Sequence, residues 1–594
     1  PNPGRLREPA AASGRGDFAT FATIVGLLIF SVLWVLLFFA MIGVAMSSSK
    51  NTAPISENTV FELELKGILV ERAEEDIWTS IAAEMNSSQR QIALDDIVES
   101  IEKAAGEDKI KGIYLKIGNL SASMASLQQI YRCLGQFKKS GKFIIAYGDY
   151  YGNGTYYLAS IADKVYLNPE GTLALSGLQA STMFYKNLLD KLGVDMQIFK
   201  VGTFKSAVEP FTQTSMSEAN RLQLTAYINS LWKEITTSIA QNRATTVDNI
   251  NAFADSGLFF GEAMETVKYK LIDSLVYQSD MDSIIKALTV KDYHTASLDD
   301  IKNVSSKHKT RSKNKIAVLY AVGEIDGSDE RSGINSQKIV DELIDLADDD
   351  KIKAVVLRVN SPGGSAFGSE QIWQAVGKVK ARKPVVVSMG DYAASGGYYI
   401  SCIADRIFAE PTTLTGSIGI FGMFPNVKGL FDKIGLSFES VKTNKFSDFG
   451  ATYRPMAAEE KVLLQKYIEK GYDLFTKRCA DGRGISQDSI KKIAEGRIYS
   501  GSDALQLGLV DELGGLNEAI AFAAKQAKVD EYSIKNYPAV KTVMEQLTEM
   551  FSTSVRTKLL QIALGDQYKL YDAVQKSQNT VGIKTLMPYT IEVK

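Results

Sequence analysis

Lys351-Ile-Lys-Ala-Val-Val-Leu-Arg-Val-Asn-Ser-Pro-Gly-Gly-Ser365 decides the fold. Ala354–Val359 is a mostly apolar run of strand length, with no alternation of apolar and polar residues. Such a run suits a strand covered on both faces, the usual situation in a parallel sheet. It opens into the loop Asn360–Ser365, where Pro362 fixes one φ and two glycines let backbone N–H groups turn toward a ligand. The strand has a twin. Lys109-Ile-Lys-Gly-Ile-Tyr-Leu-Lys-Ile117 precedes it by 242 residues, and the offset persists outward. Gly148-Asp-Tyr150 falls on Gly390-Asp-Tyr392, and Tyr156-Tyr-Leu-Ala-Ser-Ile-Ala-Asp163 on Tyr398-Tyr-Ile-Ser-Cys-Ile-Ala-Asp405. Pro169 falls on Pro411, and Leu189-Asp-Lys-Leu-Gly193 on Phe431-Asp-Lys-Ile-Gly435. A register held that long means two copies of one domain.

Within the second copy, Lys315–Ala321 and Pro384–Ser388 read as further strands. Ile339, Leu343 and Leu346, then Ile372, Val376 and Val379, repeat with helical spacing; Tyr398–Ile403 reads as a helix and Arg406–Ala409 as a short strand. The expected class is α/β, a tandem duplication of parallel sheets covered by helices. The expected organisation is a cytoplasmic segment 1–17, a membrane anchor 18–46, a first repeat 55–295, a polar linker 296–313, a second repeat 314–540 and a partly helical tail 541–594. In that tail Val543, Leu547 and Met550 have helical spacing.

Composition narrows the chemistry. The chain has 594 residues, 67 Lys+Arg against 69 Asp+Glu and a net charge of −2, so it carries no bulk basic footprint and nucleic acid is not an expected partner. Three cysteines, Cys133, Cys402 and Cys479, are too few for a disulfide framework and form no Cys-x-x-Cys pair. Cys133 and Cys402 read as small core residues. The two histidines, His294 and His308, lie in a Lys/Ser-rich stretch and offer no basis for a Ser-His-Asp triad, a zinc site or a 2-His-1-carboxylate iron site. Catalysis, if present, runs without imidazole, and no metal or cofactor is expected.

Between Asp17 and Lys50 there is no charge, and Phe18–Met46 is almost wholly apolar. As helix this run reaches roughly 43 Å, enough to cross a bilayer core of about 30 Å with tilt. Arg5, Arg7 and Arg15 precede it, which places the N-terminus in the cytoplasm and the rest of the chain outside the inner membrane, on a single-pass anchor. A cleaved signal peptide is the alternative, with Gly43-Val44-Ala45 as the small-residue site. The run is about twice the usual length of such a segment's apolar part.

Two loops at strand ends carry the candidate chemistry. Asn360–Ser365 is one; the other, Gly390-Asp-Tyr-Ala-Ala-Ser-Gly-Gly397, places Ser395 near a helix N-terminus, where unpaired N–H groups favour developing negative charge. A glycine turn and an N-capping serine are the plain alternatives. Comparing the copies favours chemistry. Ser395 aligns with Asn153, and Gly363-Gly364 with Ser121-Ala122, so the first copy lacks hydroxyl and loop. Lys205, in Val201-Gly-Thr-Phe-Lys-Ser-Ala-Val-Glu-Pro210, aligns with Ser447 in Asn444-Lys-Phe-Ser-Asp448. Each copy holds one group the other lacks, as expected of one site shared between two repeats.

Val201–Pro210, Arg358–Ser365, Ala393-Ala-Ser-Gly-Gly-Tyr398 and Thr415-Gly-Ser-Ile-Gly419 resemble the motifs of the signal peptide peptidase A family, in its long two-domain form, within the Clp-protease/crotonase superfamily. The resemblance extends from about Phe61 to Leu516, with the anchor in addition. It implies a serine protease with a Ser/Lys dyad and an acyl-enzyme intermediate: Ser395 as nucleophile, Lys205 as general base, Ser417 orienting the lysine, and an oxyanion hole from Gly396 with Gly363 or Gly364. It also implies tandem crotonase-like domains, a homotetrameric bowl on the outer face of the cytoplasmic membrane, and signal-peptide remnants and other hydrophobic exported peptides as substrates. Such substrates suit pairing as an added strand beside the dyad.

The dyad makes a physical demand. Lysine accepts the serine proton only when neutral, and moving its pKa from about 10.4 to about 7 takes roughly 4.6 kcal/mol of desolvation or cationic repulsion. Lys205 is therefore expected in an apolar cleft with Val201, Phe204 and Ala207, and Glu209 is expected to point away. Tyr392, Tyr398 and Tyr399 read as core aromatics, with cleft walls as the alternative. Asp391 reads as a turn or capping residue or a substrate contact. Two rival functions share the fold: a non-catalytic membrane-bound scaffold and an acyl-CoA-processing enzyme of the crotonase type, the latter needing neither Ser395 nor Lys205.

Overall fold

The structure is a computed structural model that describes residues 26, 30, 34, 55–72, 90–290, 292–304, 312–327, 333–539 and 582–586. The chain divides into two units, Pro1–Ile55 and Ser56–Lys594, and the architecture belongs to the second. The expected anchor lies outside the described residues except Gly26, Phe30 and Trp34, which are helical. Among the described residues no helix is long and apolar enough to cross a membrane.

The first repeat supplies strands β1 (Thr59–Val70), β2 (Ile110–Ser121), β3 (Phe143–Gly152), β4 (Lys164–Ala174) and β5 (Asp195–Val201), with helices α1 (Leu94–Gly106), α2 (Met124–Lys138), α3 (Asn153–Ala159), α4 (Lys186–Leu192) and α5 (Glu218–Asn242). A short helix, α6 (Leu298–Lys302), leads to the second repeat. That repeat has β6 (Lys315–Val322), β7 (Ile352–Ser361), β8 (Gly363–Ser365), β9 (Val385–Ala394), β10 (Arg406–Ala409), β11 (Leu414–Gly416), β12 (Ile420–Asn426), β13 (Ile498–Ser500) and β14 (Ser533–Tyr537). Its helices are α7 (Ser336–Asp348), α8 (Ala366–Lys380), α9 (Gly396–Ser401), α10 (Lys428–Ile434), α11 (Ala458–Arg483) and α12 (Leu516–Gln526). The tail contributes β15 (Gly582–Leu586).

Two parallel sheets form the body. In the first, β1-β2-β3-β4 are neighbours in that order. In the second the order is β13-β11-β9-β7-β6-β14, parallel except where β11 meets β13. The apolar runs are continuous because both faces of the second sheet are covered. Ala317, Leu319, Val355, Leu357 and Val359 face the core shared with α7, α8 and α11. Ile316, Val318, Ala354 and Val356 face Ala519, Ile520 and Ala523 of α12.

The expected linker is not polar throughout, because α6 opens it. Ser297 caps that helix and Ile301 is buried. In the tail, Val543, Leu547 and Met550 lie outside the described residues, and the stretch that is described is a strand rather than a helix.

A third, antiparallel sheet joins the repeats in the order β8-β15-β12-β5. β12 of the second repeat pairs with β5 of the first from Ile420↔Val201 to Asn426↔Asp195. β5 ends four residues before Lys205, so this pairing delivers the lysine loop to the second repeat. Polar contacts lock the junction beside it. The buried Arg358 guanidinium donates to both carboxylate oxygens of Glu71, at 3.0 and 2.9 Å, and to Gln129 Oε1. Gln128 Oε1 accepts from the backbone N–H and hydroxyl of Thr412, and Arg132 pairs with buried Glu410. Tyr227 and Leu231 of α5 pack on Ala394, Leu414 and Ile498.

Candidate active site

Strand β9 runs straight into Ser395, which opens α9 with φ 56° and ψ −115°. A non-glycine residue at positive φ is strained, and such strain persists only where the surroundings over-determine it. Here Ser395 N–H donates to Gly416 O at 2.8 Å, and Gly397 lies so close to Ser361 that a Cβ would stand 2.6 Å from Ser361 O. The turn therefore presents the buried Ser395 hydroxyl at the junction of the repeats.

Lys205 meets it there from the other repeat, 190 residues away in sequence. Lys205 Nζ lies 2.8 Å from Ser395 Oγ, 3.0 Å from Ser417 Oγ and 3.1 Å from Ser417 O. Ser417, also buried and at positive φ (51°), follows β11. The lysine is almost fully buried, and burial alone pushes its pKa down from 10.5 to about 7. Glu209 is turned elsewhere: its carboxylate accepts from Ser217 Oγ at 2.6 Å and from Asn220 Nδ2 at 3.0 Å. Val208 and Ala207 pack with Phe421 beside the lysine loop.

The oxyanion candidates sit around this pair. Gly396 is the first residue of α9. Gly363 spends its N–H on Ser361 Oγ at 3.2 Å, which leaves Gly364 as the glycine of that loop to consider. A Cβ on Gly364 would stand 2.1 Å from Ile325 O, and its φ of 152° disfavours other residues. Both glycines lie in β8, whose open edge is taken by the tail: Gly363 is opposite Leu586, Gly364 opposite Thr585 and Ser365 opposite Lys584. The same tail strand pairs on its other edge with β12, Lys584 opposite Phe421 and Gly582 opposite Met423. Lys584 also reaches Glu324 at 2.9 Å. A five-residue extended segment thus fills a slot, backbone-paired on both sides, that runs up to the glycine loop.

The tyrosines are core residues. Tyr398 is buried and donates to Leu509 O; Tyr399 stacks on Phe475 and donates to Glu370. Tyr392 packs with Tyr227 and Leu231. Asp391 accepts from Ser126 N–H and Oγ at 2.9 Å and from Asn360 Nδ2, so its carboxylate caps the first turn of α2 and ties the first repeat to the second. Its pKa is raised by burial and by the charge of Glu71. In the first repeat, Asn153 is buried, donates to Gly177 O and accepts from Ser176 N–H, so an amide holds the turn that corresponds to the one at Ser395; Ser447 is exposed.

One element escaped the sequence reading. The loop Ala494–Arg497 clamps lysine and turn together. Glu495 O accepts from Phe204 N–H, Gly496 N–H donates to Ile418 O, and Arg497 O accepts from Ser417 N–H. A Cβ on Gly496 (φ 77°) would stand 2.7 Å from Lys205 Cα and Cβ. The available signal was the repeat itself, since Gly496-Arg497 faces Gly257-Leu258 in the first copy.

Comparison with known proteins gives the family. The model of peptidase family S49 matches twice, at residues 136–290 and 377–530, and that of Clp protease matches residues 307–413. The chain is 38% identical over 511 residues to Protease 4 of Haemophilus influenzae, covering 82% of each chain. It is 35% identical over 547 residues to Protease 4 of Salmonella typhi, covering 88% of each. It is 31% identical over 450 residues to the chloroplastic serine protease SPPA of Arabidopsis thaliana, covering 74% of this chain and 66% of that one.

Proposed function

The chain belongs to peptidase family S49 and is a serine protease, and from that premise we propose that Ser395 is its nucleophile and Lys205 its general base. The observation that carries this assignment is the 2.8 Å approach of Lys205 Nζ to Ser395 Oγ inside a buried junction. A neutral amine has two N–H donors and one lone pair. With the donors directed at Ser417 Oγ and Ser417 O, the lone pair is left facing the Ser395 hydroxyl. Lys205 takes the hydroxyl proton as Ser395 Oγ attacks the scissile carbonyl, and returns it to the leaving amine. The acyl-enzyme is then hydrolysed by water activated in the same way. Gly396 N–H, with Gly364 N–H once its strand partner changes, stabilises the oxyanion.

The substrate reading is an extended peptide lying in the slot between β8 and β12, bound as an added strand through its backbone. Apolar remnants of signal peptides and other hydrophobic exported peptides fit that mode, since backbone pairing asks for no charged side chain. The resemblance noted in the sequence supports the same class, together with a membrane anchor before residue 47, an extracytoplasmic catalytic body and a homotetrameric assembly. The test is cleavage of a fluorogenic apolar peptide by full-length protein in detergent. Ser395→Ala and Lys205→Ala are each expected to lose at least a thousandfold in kcat/KM while keeping their circular dichroism. Near-wild-type activity of Lys205→Ala would remove the base assignment.

A further inference from the structure

The slot between β8 and β12 holds a carboxylate that the mechanism does not use. Glu324 follows β6 on a turn fastened to β8, one wall of the slot. Its neighbour Ile325 donates its N–H to Gly363 O and accepts from Ser365 N–H, both at 2.8 Å, and Glu324 O accepts from Ile334 N–H at 2.9 Å. A Cβ on Gly327 would stand 2.9 Å from Glu324 Oε2, so the turn closes against the side chain. In the slot Lys584 Nζ meets this carboxylate at 2.9 Å, with the lysine side chain 17% exposed and the glutamate 30%. Among the described residues no other cation pairs with Glu324.

The tail strand shows which way an extended chain lies there. As it runs from Gly582 to Leu586, both flanking strands lead toward the dyad. Along β8 it passes from Ser365 to Gly363, and the chain beyond leads to Ser361, which lies against Gly397 of α9. Along β12 it passes from Met423 to Phe421. Two residues further in the same register, residue 586 is level with Gly419, where a Cβ would stand 3.2 Å from Lys205 Cδ. A substrate lying the same way places the residues before its cleaved bond in the slot. The position of Lys584 is then two residues before the one nearest the dyad.

We propose that Glu324 is a specificity-determining residue, whose carboxylate receives a lysine or arginine side chain of the substrate two residues before the residue that is acylated onto the enzyme. The proposal rests on the reading of the slot as the substrate site. Backbone pairing sets no requirement on side chains, and Glu324 adds one at a single position. Neighbouring positions are not read by it, because successive side chains of a strand face opposite sides. Secretory signal peptides carry their cations at the N-terminal end of an apolar run. Glu324 therefore directs the cut to the start of that run, just beyond the last cation, and separates the charged end from the apolar remainder.

The test uses full-length protein in detergent and fluorogenic coumarin amides of acetyl-Ile-X-Thr-Leu, the tail's own sequence from 583 to 586, with lysine, alanine or glutamate at X. Wild type, Glu324→Gln and Glu324→Lys are compared by the ratios of kcat/KM among the three peptides. Ratios within one enzyme cancel any change in folding or in how tightly the tail itself is held. Wild type is expected to favour lysine over alanine about fourfold, the range of a part-exposed ion pair, and over glutamate at least tenfold. Glu324→Gln should bring the three within twofold, and Glu324→Lys should reverse the order. Moving the lysine one residue toward the coumarin should abolish the preference. A wild type that does not discriminate, or a lysine preference that persists in both variants, overturns the subsite. A fourth peptide, N-methylated at the lysine nitrogen, checks the slot, since every N–H of a segment paired on both edges faces a strand. If it is cleaved as fast as its parent, strand pairing falls and the subsite with it; slow cleavage alongside a persistent preference overturns Glu324 alone.

Discussion

Replacing Lys205 by methionine should stabilise the protein at neutral pH, by an amount that falls as the pH rises. In the native state the amine titrates near 7; in the unfolded chain it titrates near 10.5. Between those values the unfolded state binds more protons than the native one, so wild-type stability rises with pH across that window. The penalty is fully present below pH 7 and gone above 10.5. At 1.36 kcal/mol per pKa unit it is about 4 kcal/mol at pH 7, about 2 at pH 9 and under about 0.5 at pH 10.5. Methionine has similar length and no charge, so it escapes this penalty at every pH. It also leaves the Ser395 and Ser417 hydroxyls without the amine, a loss of about 1–3 kcal/mol that does not vary over the window. The slope of the difference is therefore informative, not its offset. Urea unfolding of wild type and Lys205→Met at pH 7, 8, 9 and 10 measures it. The advantage of the variant should shrink by about 3 kcal/mol from pH 7 to 10. A difference that stays flat would mean Lys205 titrates like a surface lysine, and the proposed base would be protonated at neutral pH.

Three further outcomes follow from contacts near the site. Gly496→Ala places a methyl group 2.7 Å from Lys205 Cα, so kcat/KM should fall by about a hundredfold with circular dichroism retained; an unchanged rate would free the loop of any positioning role. Arg358→Met strands the buried Glu71 carboxylate and should cost about 3–5 kcal/mol in urea unfolding, with Arg358→Met/Glu71→Gln recovering part of it; equal loss in both variants would argue against a charge effect. Truncation after Val581 removes the strand that occupies the slot beside Gly363–Ser365, so kcat/KM for a short apolar peptide should rise about tenfold. An unchanged value would show that the tail does not compete with substrate.

Legibility in the sequence followed the range of the interactions. The strand at Ala354–Val359 was readable because helices cover both its faces, and the helix at Tyr398–Ile403 because its pattern is local. Lys205 stands out among 67 basic residues only through its mismatch with Ser447 across the repeat and the motif Val201–Pro210 around it. Other features depended on distant partners. Glu71 meets Arg358 across 287 residues, and nothing in its neighbourhood marks it as buried. Asp391 sits in a turn-like Gly-Asp-Tyr, and Ser126 and Asn360, which engage it, come from other elements. The Gly363 N–H was counted for the oxyanion hole, but Ser361, two residues earlier, takes it. The tail carries helical spacing at Val543, Leu547 and Met550, yet its described segment is extended, because open edges of β8 and β12 supply backbone partners on both sides.

The division of the proposed dyad between repeats has a consequence for how such a chain is made. A ribosome produces Lys205 first and Ser395 only 190 residues later. Until the second repeat has emerged and docked, the lysine has no hydroxyl to activate, and its own loop lacks the strand that holds it. A hydrolase that attacks extended apolar segments would otherwise be most dangerous to its own nascent chain, which is extended and apolar at that moment. With the dyad proposed above, splitting the reacting atoms between the two halves makes completion of the fold the switch for cutting.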